Sequence, residues 1–187
     1  SQSYTHWEHV IVNASPEEIS MQEVLDRYPD PRIRIITCPE NKGIAGNTNI
    51  GITESRGDYL CFLDHDDLVE PDALAYYVRE IQNDREVDLL YCDEDSIDEN
   101  KNLSMVLFKP GANPDLLYSN DYVIHWLMVS RRIIELTERS TSVVDGAQDY
   151  DLTLKTFTCA RSIRHIPQVL YHWRIHLGSL NSNPQSK

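Results

Sequence analysis

Apolar residues in the first half of the chain fall in short β-rich runs that alternate with helical periodicity, the pattern of βαβ units on a parallel sheet. His9 to Val12 reads as a strand and Glu17 to Tyr28 as a helix, followed by a strand from Arg32 to Thr37 and a helix from Ile44 to Ser55. Tyr59-Leu60-Cys61-Phe62-Leu63 is an unbroken apolar run, the length of a strand buried on both faces, and it stops abruptly at Asp64-His65-Asp66-Asp67. These aspartates are expected at the carboxyl end of the strand, the edge at which open α/β sheets bind ligands. Pro71 suits a first helical turn, and Leu74, Tyr77, Val78 and Ile81 then share one helical face against the sheet. Val87 to Cys92 predicts another strand, ending in a second acidic cluster, Asp93-Glu94-Asp95. Two successive strands would thus deliver carboxylates to one edge.

From about Lys101 the rhythm becomes irregular, with Pro110, Pro114 and a turn near Ser119-Asn120 before an apolar stretch from Tyr122 to Val129. Asp149 opens a predicted helix with Tyr150, Leu154 and Phe157 on one face. Arg164 to Ile166 and Val169 to Trp173 read as two strands around Pro167. Alternation along the last strand puts Trp173 and Ile175 on one side and His172, Arg174 and His176 on the other.

The length of 187 residues and 41% hydrophobic content predict a single domain over 1–187, in two halves of about 1–100 and 101–179 with a frayed polar tail at 180–187. Thirty acidic residues against 17 basic ones give a formal charge of −13, which argues against nucleic acid or anionic lipid as a sequence-independent partner. No apolar run approaches the roughly 20 residues that span a bilayer, and the N-terminus lacks the pattern of a secretory signal. Cys38, Cys61, Cys92 and Cys159 are scattered without a Cys-x-x-Cys pair, as expected of reduced packing residues in a cytosolic protein. Like charges packed as closely as Asp64, Asp66 and Asp67 call for neutralisation, and a hard divalent cation with oxygen ligands would supply it. An acidic turn leading into the next helix is the plainer alternative. Asp149, for its part, suits a helix cap.

Taken in order, Asn41-Lys42-Gly43-Ile44-Ala45-Gly46-Asn47-Thr48-Asn49, Leu63-Asp64-His65-Asp66-Asp67, Asp93-Glu94-Asp95, Gly146-Ala147-Gln148-Asp149-Tyr150-Asp151-Leu152 and Tyr171-His172-Trp173-Arg174-Ile175-His176 resemble family-two glycosyltransferases. The closest subgroup builds bacterial surface polysaccharides. The resemblance implies a GT-A-like α/β/α sandwich with a mainly parallel central sheet, here lacking the first strand of the domain. It also implies inverting transfer of a sugar from a nucleoside-diphosphate donor to a glycan or lipid-linked acceptor, with Mn or Mg as cofactor.

By the same resemblance Asp149 is the catalytic base, and Asp66 and His176 are the metal ligands. Asn13, Asn41, Gly43, Asn49, Asp64, Asp95 and Arg174 would contact the nucleotide or donor, and His125, Trp126 and Gln148 the acceptor. His65 and Asp67 are expected to shape the turn. Asn13 stands where relatives carry an aspartate, and Thr48 where many carry arginine, so two contacts of the family are altered. A cytoplasmic location follows, with peripheral attachment at the inner face of the membrane through a longer parent chain as one form of it. A sugar nucleotidyltransferase, or a domain that binds nucleotide sugar without turnover, is the competing function.

Overall fold

The structure is a computed structural model that describes residues 2–15, 17 and 20–175. Its first elements are β1 (His9–Asn13), α1 (Ser20–Arg27), β2 (Ile33–Thr37), α2 (Gly43–Glu54) and β3 (Tyr59–Cys61). Then come β4 (Leu68–Val69), α3 (Ala73–Asn83), β5 (Val87–Ile97), β6 (Leu103–Leu107) and α4 (Pro114–Ser119). β7 (Met128–Ser130), α5 (Arg131–Leu136), a 3-10 turn at Ser142–Val144, α6 (Gln148–Cys159) and β8 (Ser162–Arg174) complete the order. The chain forms two compact units interleaved in sequence, one of Thr5–Leu60 with Val129–Cys159, the other of residues 2–4, Cys61–Met128 and 160–175.

In the first of these units β1 and β2 run parallel, His9 facing Ile33 and Asn13 facing Thr37, as a crossover through α1 requires. α2 packs against β1 and buries Ala45 and Ile52. α5 follows directly on β7, where the Ser130 side chain accepts from the Ile133 N–H as an N-cap. The Arg131 side chain donates to the Gly57 carbonyl at 2.8 Å and the Ser55 hydroxyl at 3.1 Å, which ties that helix start to the loop before β3.

The second unit is built on β5, buried along all eleven residues. β8 pairs with it in parallel, β6 pairs with it antiparallel, and β4 pairs antiparallel with β8, so this sheet is mixed where a mainly parallel one was expected. α3 lies on β5 and β8 with Ala73 and Tyr77 fully buried. The two strands expected around Pro167 are one strand. Its pairing jumps from Ile166 opposite Cys92 to Val169 opposite Asp93, so Pro167, which has no N–H for the ladder, sits in a bulge.

Two expectations change at the sheet edge. β3 ends at Cys61, two residues before the apolar run does, and Leu63 is exposed. β5 runs on through Asp93, Glu94 and Asp95, which are inside the sheet and buried instead of emerging at its end. Carboxylates tolerate that burial only when each finds a cationic or donor partner, and each does: Asp93 meets His165 at 2.7 Å, Glu94 meets Lys109 at 2.7 Å, and Asp95 meets His172 at 2.6 Å.

Candidate functional site

The turn after β3 closes where the Asp67 N–H donates to the Asp64 carbonyl at 3.3 Å. It divides its carboxylates by depth. Asp64 is exposed, Asp66 is partly covered, and Asp67 is buried. Asp67 Oδ1 accepts from the Arg174 N–H at 2.7 Å, and Oδ2 accepts from the Tyr171 hydroxyl. Burial, reinforced by the Asp67 carboxylate, pushes the Tyr171 phenol far above its ordinary value, so it is a permanent donor. Arg174 Nε donates to the Asp66 carbonyl at 2.6 Å. The carboxyl end of β8 is thereby joined to the acidic turn.

His125 reaches the same turn. The ligand-capable atoms of Asp64, Asp67 and His125 lie within 4.8 Å of one another. Carboxylate and imidazole together suit a divalent cation of intermediate hardness such as manganese, but Asp67 gives both its oxygens to Arg174 and Tyr171, and Asp66, the expected ligand, lies outside this group. His125 and Trp126 both have left-handed backbones, with φ of 58° and 45°, which bulky residues adopt only when their surroundings enforce it.

The surroundings of His125 do so. Its Nδ1 lies 3.0 Å from Glu94 Oε1, and its ring stacks on Tyr171 with centroids 5.2 Å apart. The fully buried Lys109 ammonium donates to the Ile124 carbonyl and pairs with Glu94. Trp126 meets Tyr77 edge to face at 4.9 Å, and its carbonyl accepts from the Tyr77 hydroxyl at 3.0 Å. Burial alone would lower the His125 imidazole, yet Glu94 outweighs it and raises the value. Burial alone would likewise raise Glu94, and His125 with Lys109 holds it below the ordinary carboxylate value.

The remaining expected residues of this unit are accounted for. Asp95 is engaged by His172, whose other ring nitrogen faces Glu70 at 3.2 Å, so its carboxylate serves the sheet interior. Trp126 is core, only 4% exposed. His176 lies outside the described residues. Sequence reasoning gave no role to Lys109 and only a turn-shaping one to Asp67. A lysine inside the apolar segment Leu107-Phe108-Lys109-Pro110 was the available signal.

In the other unit, Asn13 Oδ1 accepts from the Ser15 N–H at 3.0 Å and rounds the end of β1. Asn41 Oδ1 accepts from the Gly43 N–H at 3.0 Å and from Asn47 Nδ2 at 2.9 Å, shaping the loop into α2. Gly43 has φ of +75°, a conformation that disfavours a side chain. Asn49 Nδ2 donates to the Ser140 carbonyl at 2.7 Å.

α6 begins at Gln148, and the exposed Asp149 carboxylate accepts from Gln148 Nε2 at 3.0 Å. A small cavity of about 10 Å³ between α2 and α6 is lined by Thr48, Asn49, Gln148 and Asp149. Two motifs a hundred residues apart in the chain thus share one surface.

Residues 1–137 match the family model described as Glycosyl transferase family 2. The chain belongs to glycosyl transferase family 2. It is 36% identical, over 93% of its length, to the O-antigen biosynthesis protein RfbC of Myxococcus xanthus. It spans only 14 to 21% of the first curated relatives it matches. Among solved structures, TarS of S. aureus in complex with UDP-GlcNAc superposes with a TM-score of 0.75 at 15% identity, covering 95% of this chain and 53% of that one. The mannosyltransferase PcManGT of Pyrobaculum calidifontis, solved with GDP-Man and Mn2+, superposes with a TM-score of 0.65 at 18% identity, covering 91% and 49%. These likenesses establish the GT-A fold for this family-2 chain. No helix among the described residues is long and apolar enough to cross a membrane.

Proposed function

We propose that this family-2 domain transfers a sugar from a nucleoside-diphosphate donor to a glycan or lipid-linked acceptor in the synthesis of a bacterial surface polysaccharide. The observation that carries the reading is the turn Asp64–Asp67 held against β8 and His125. The O-antigen role of the Myxococcus relative and the sugar nucleotides bound by the two structural neighbours support the same reading.

Each residue takes a task that its surroundings allow. Asp67 is saturated by two donors and fixes the turn. Asp64 and Asp66, which reach solvent, would hold manganese or magnesium, with His125 beside Asp64 and His176 as the ligand implied by family resemblance. Such a cation supplies positive charge to a departing diphosphate. Arg174 commits Nε to the Asp66 carbonyl, and a guanidinium has further N–H groups to offer phosphate oxygens.

Asn41 and Gly43 shape the loop into α2, and Asn13 would offer its amide to the base or ribose. Asp149 would accept the proton of the acceptor hydroxyl as that oxygen bonds to the anomeric carbon and the bond to the diphosphate oxygen breaks. One displacement of this kind inverts the anomeric centre.

The test is calorimetric titration of the full-length protein with UDP or GDP, with and without manganese. Affinity should rise with manganese and lose that dependence in Asp66→Ala. Binding that ignores both the metal and the substitution would refute the reading.

A further inference from the structure

α2 starts without a cap of its own. Lys42 stands at its N-cap position and offers no side-chain acceptor, and the first turn contains no acidic residue. Exposed N–H groups and the positive end of the helix dipole ordinarily draw an oxygen acceptor to that position. The acceptor comes from a hundred residues away. Asp145 Oδ1 accepts from the Ala45 N–H at 2.9 Å. The seat is shaped for it, since a Cβ on Gly43 would lie 2.6 Å from Asp145 Oδ2, closer than real contacts allow.

From this seat a short chain of hydrogen bonds leads to Asp149. The 3-10 turn Ser142–Val144 ends at Asp145, and Gly146 follows with φ of +91°. The Gly146 N–H donates to Gln148 Oε1 at 2.7 Å, and Gln148 Nε2 donates to Asp149 Oδ2 at 3.0 Å. The upstream end of the same segment is held by Asn49, through the Ser140 carbonyl. Residues 140–149 are therefore pinned to α2 at two points, and the Gln148 amide is aligned between the loop and the Asp149 carboxylate.

We propose that Asp145 is a positioning residue for Asp149: seated on the N-terminus of α2 in the space left by Gly43, it fixes the loop through which Gln148 aims the Asp149 carboxylate. The proposal rests on Asp149 being the base. It assigns Gln148 to the alignment of that base, and Gly43 to the accommodation of Asp145. An asparagine at 145 retains the acceptor oxygen and should serve nearly as well; an alanine cannot.

The experiment compares Asp145→Ala, Asp145→Asn and Asp149→Asn in the full-length protein, with UDP-GlcNAc and GDP-mannose as donors in the presence of manganese. Nucleotide release is read alongside amide hydrogen exchange over 140–149. Asp145→Ala should lower kcat by at least about tenfold while the donor KM stays within about threefold, the signature of a displaced group as opposed to lost binding. Exchange over 142–149 and at the Ala45 amide, which loses its acceptor, should speed up by at least about tenfold with the rest of the chain unchanged, and Asp145→Asn should restore both kcat and exchange. A kcat that survives Asp145→Ala, a loss that asparagine does not rescue, or unchanged exchange would each overturn the proposal. Exchange decides alone where neither donor is turned over. Full turnover in Asp149→Asn would instead remove the base assignment, and with it the meaning of the alignment, whatever the exchange shows.

Discussion

The main-chain N–H of Arg174 donates to Oδ1 of Asp67 at 2.7 Å, across 107 residues of sequence. The second oxygen of the same carboxylate accepts from the Tyr171 hydroxyl, so one buried side chain joins the acidic turn to β8. Replacing Asp67 with alanine leaves a hydroxyl and a backbone N–H without their acceptor, at a cost of about 1–3 kcal/mol for each buried group. Asp67→Ala should therefore lower the melting temperature by several degrees, whereas Asp66→Ala should leave it nearly unchanged. Thermal unfolding of the two variants side by side checks this. Equal melting temperatures would show that Asp67 carries no structural load.

Lys109 is the buried cation on which the His125 turn depends. Its ammonium pairs with Glu94 at 2.7 Å and donates to the Ile124 carbonyl, and its side chain is fully buried. Lys109→Met removes one member of a buried charged pair, a change that typically costs about 3–5 kcal/mol because the remaining charge stays desolvated. Glu94→Gln in the same background removes that leftover charge, so the double variant should be more stable than the sum of the two single losses. Urea unfolding of the four proteins measures the coupling, and strict additivity would argue that the pair is energetically silent.

How much of this was legible in the sequence differs between backbone and side chains. Alternating apolar runs placed β1, β2, α2, α3 and the start of β5 within a few residues, because those elements bury regular faces. The motif order also carried the GT-A fold. The extent of β5 was not legible: three consecutive acids look like an exposed end, and only partners distant in sequence, His165, Lys109 and His172, make them interior. Pro167 misled in the opposite direction, since a strand break and a bulge have the same local signature. At the candidate site, spacing marked the acidic cluster Asp64, Asp66 and Asp67 without ranking its members. The clamp on Asp67, the left-handed backbone of His125 and the reach of Asp145 arise from tertiary contacts with no local pattern.

Glu8 provides a pH prediction. Its carboxylate accepts from the Arg56 and Gly57 N–H groups, the latter at 3.2 Å, and lies 3.3 Å from the Arg34 guanidinium. Burial would raise its pKa, but the Arg56 N–H and Arg34 outweigh burial and hold it below its ordinary value of 4.5. A group whose folded value is depressed stabilises the fold above the unfolded value, and that contribution fades as pH falls through the folded value. Stability measured by urea unfolding should thus decline below pH 4.5 more steeply in the native protein than in Glu8→Gln, which keeps an acceptor oxygen but no titrating charge. Parallel curves for the two proteins would rule out Glu8 as a source of acid sensitivity.

If Asp149 is the base, as proposed, its replacement separates binding from chemistry. Its carboxylate is exposed at the start of α6 and aligned by Gln148, and an asparagine in its place would be close to it in shape and able to accept the same hydrogen bond. Asp149→Asn removes proton affinity while keeping the side chain's shape and acceptor oxygen, and loses only the small dipole contribution of one exposed first-turn charge, about 0.3–1 kcal/mol. General-base loss of this kind typically costs about 10²–10⁴-fold in rate. The expected outcome is therefore a melting temperature within a few degrees of the native one and unaltered manganese-dependent nucleotide binding, with kcat reduced by that range. Asp151→Asn supplies the contrast. Its carboxylate is held by Lys155 and Ser140, both at 2.6 Å, so its loss should weaken α6 and lower the melting temperature without abolishing transfer. If instead Asp149→Asn turned over normally and Asp151→Asn did not, the base would have to be reassigned one helical face away.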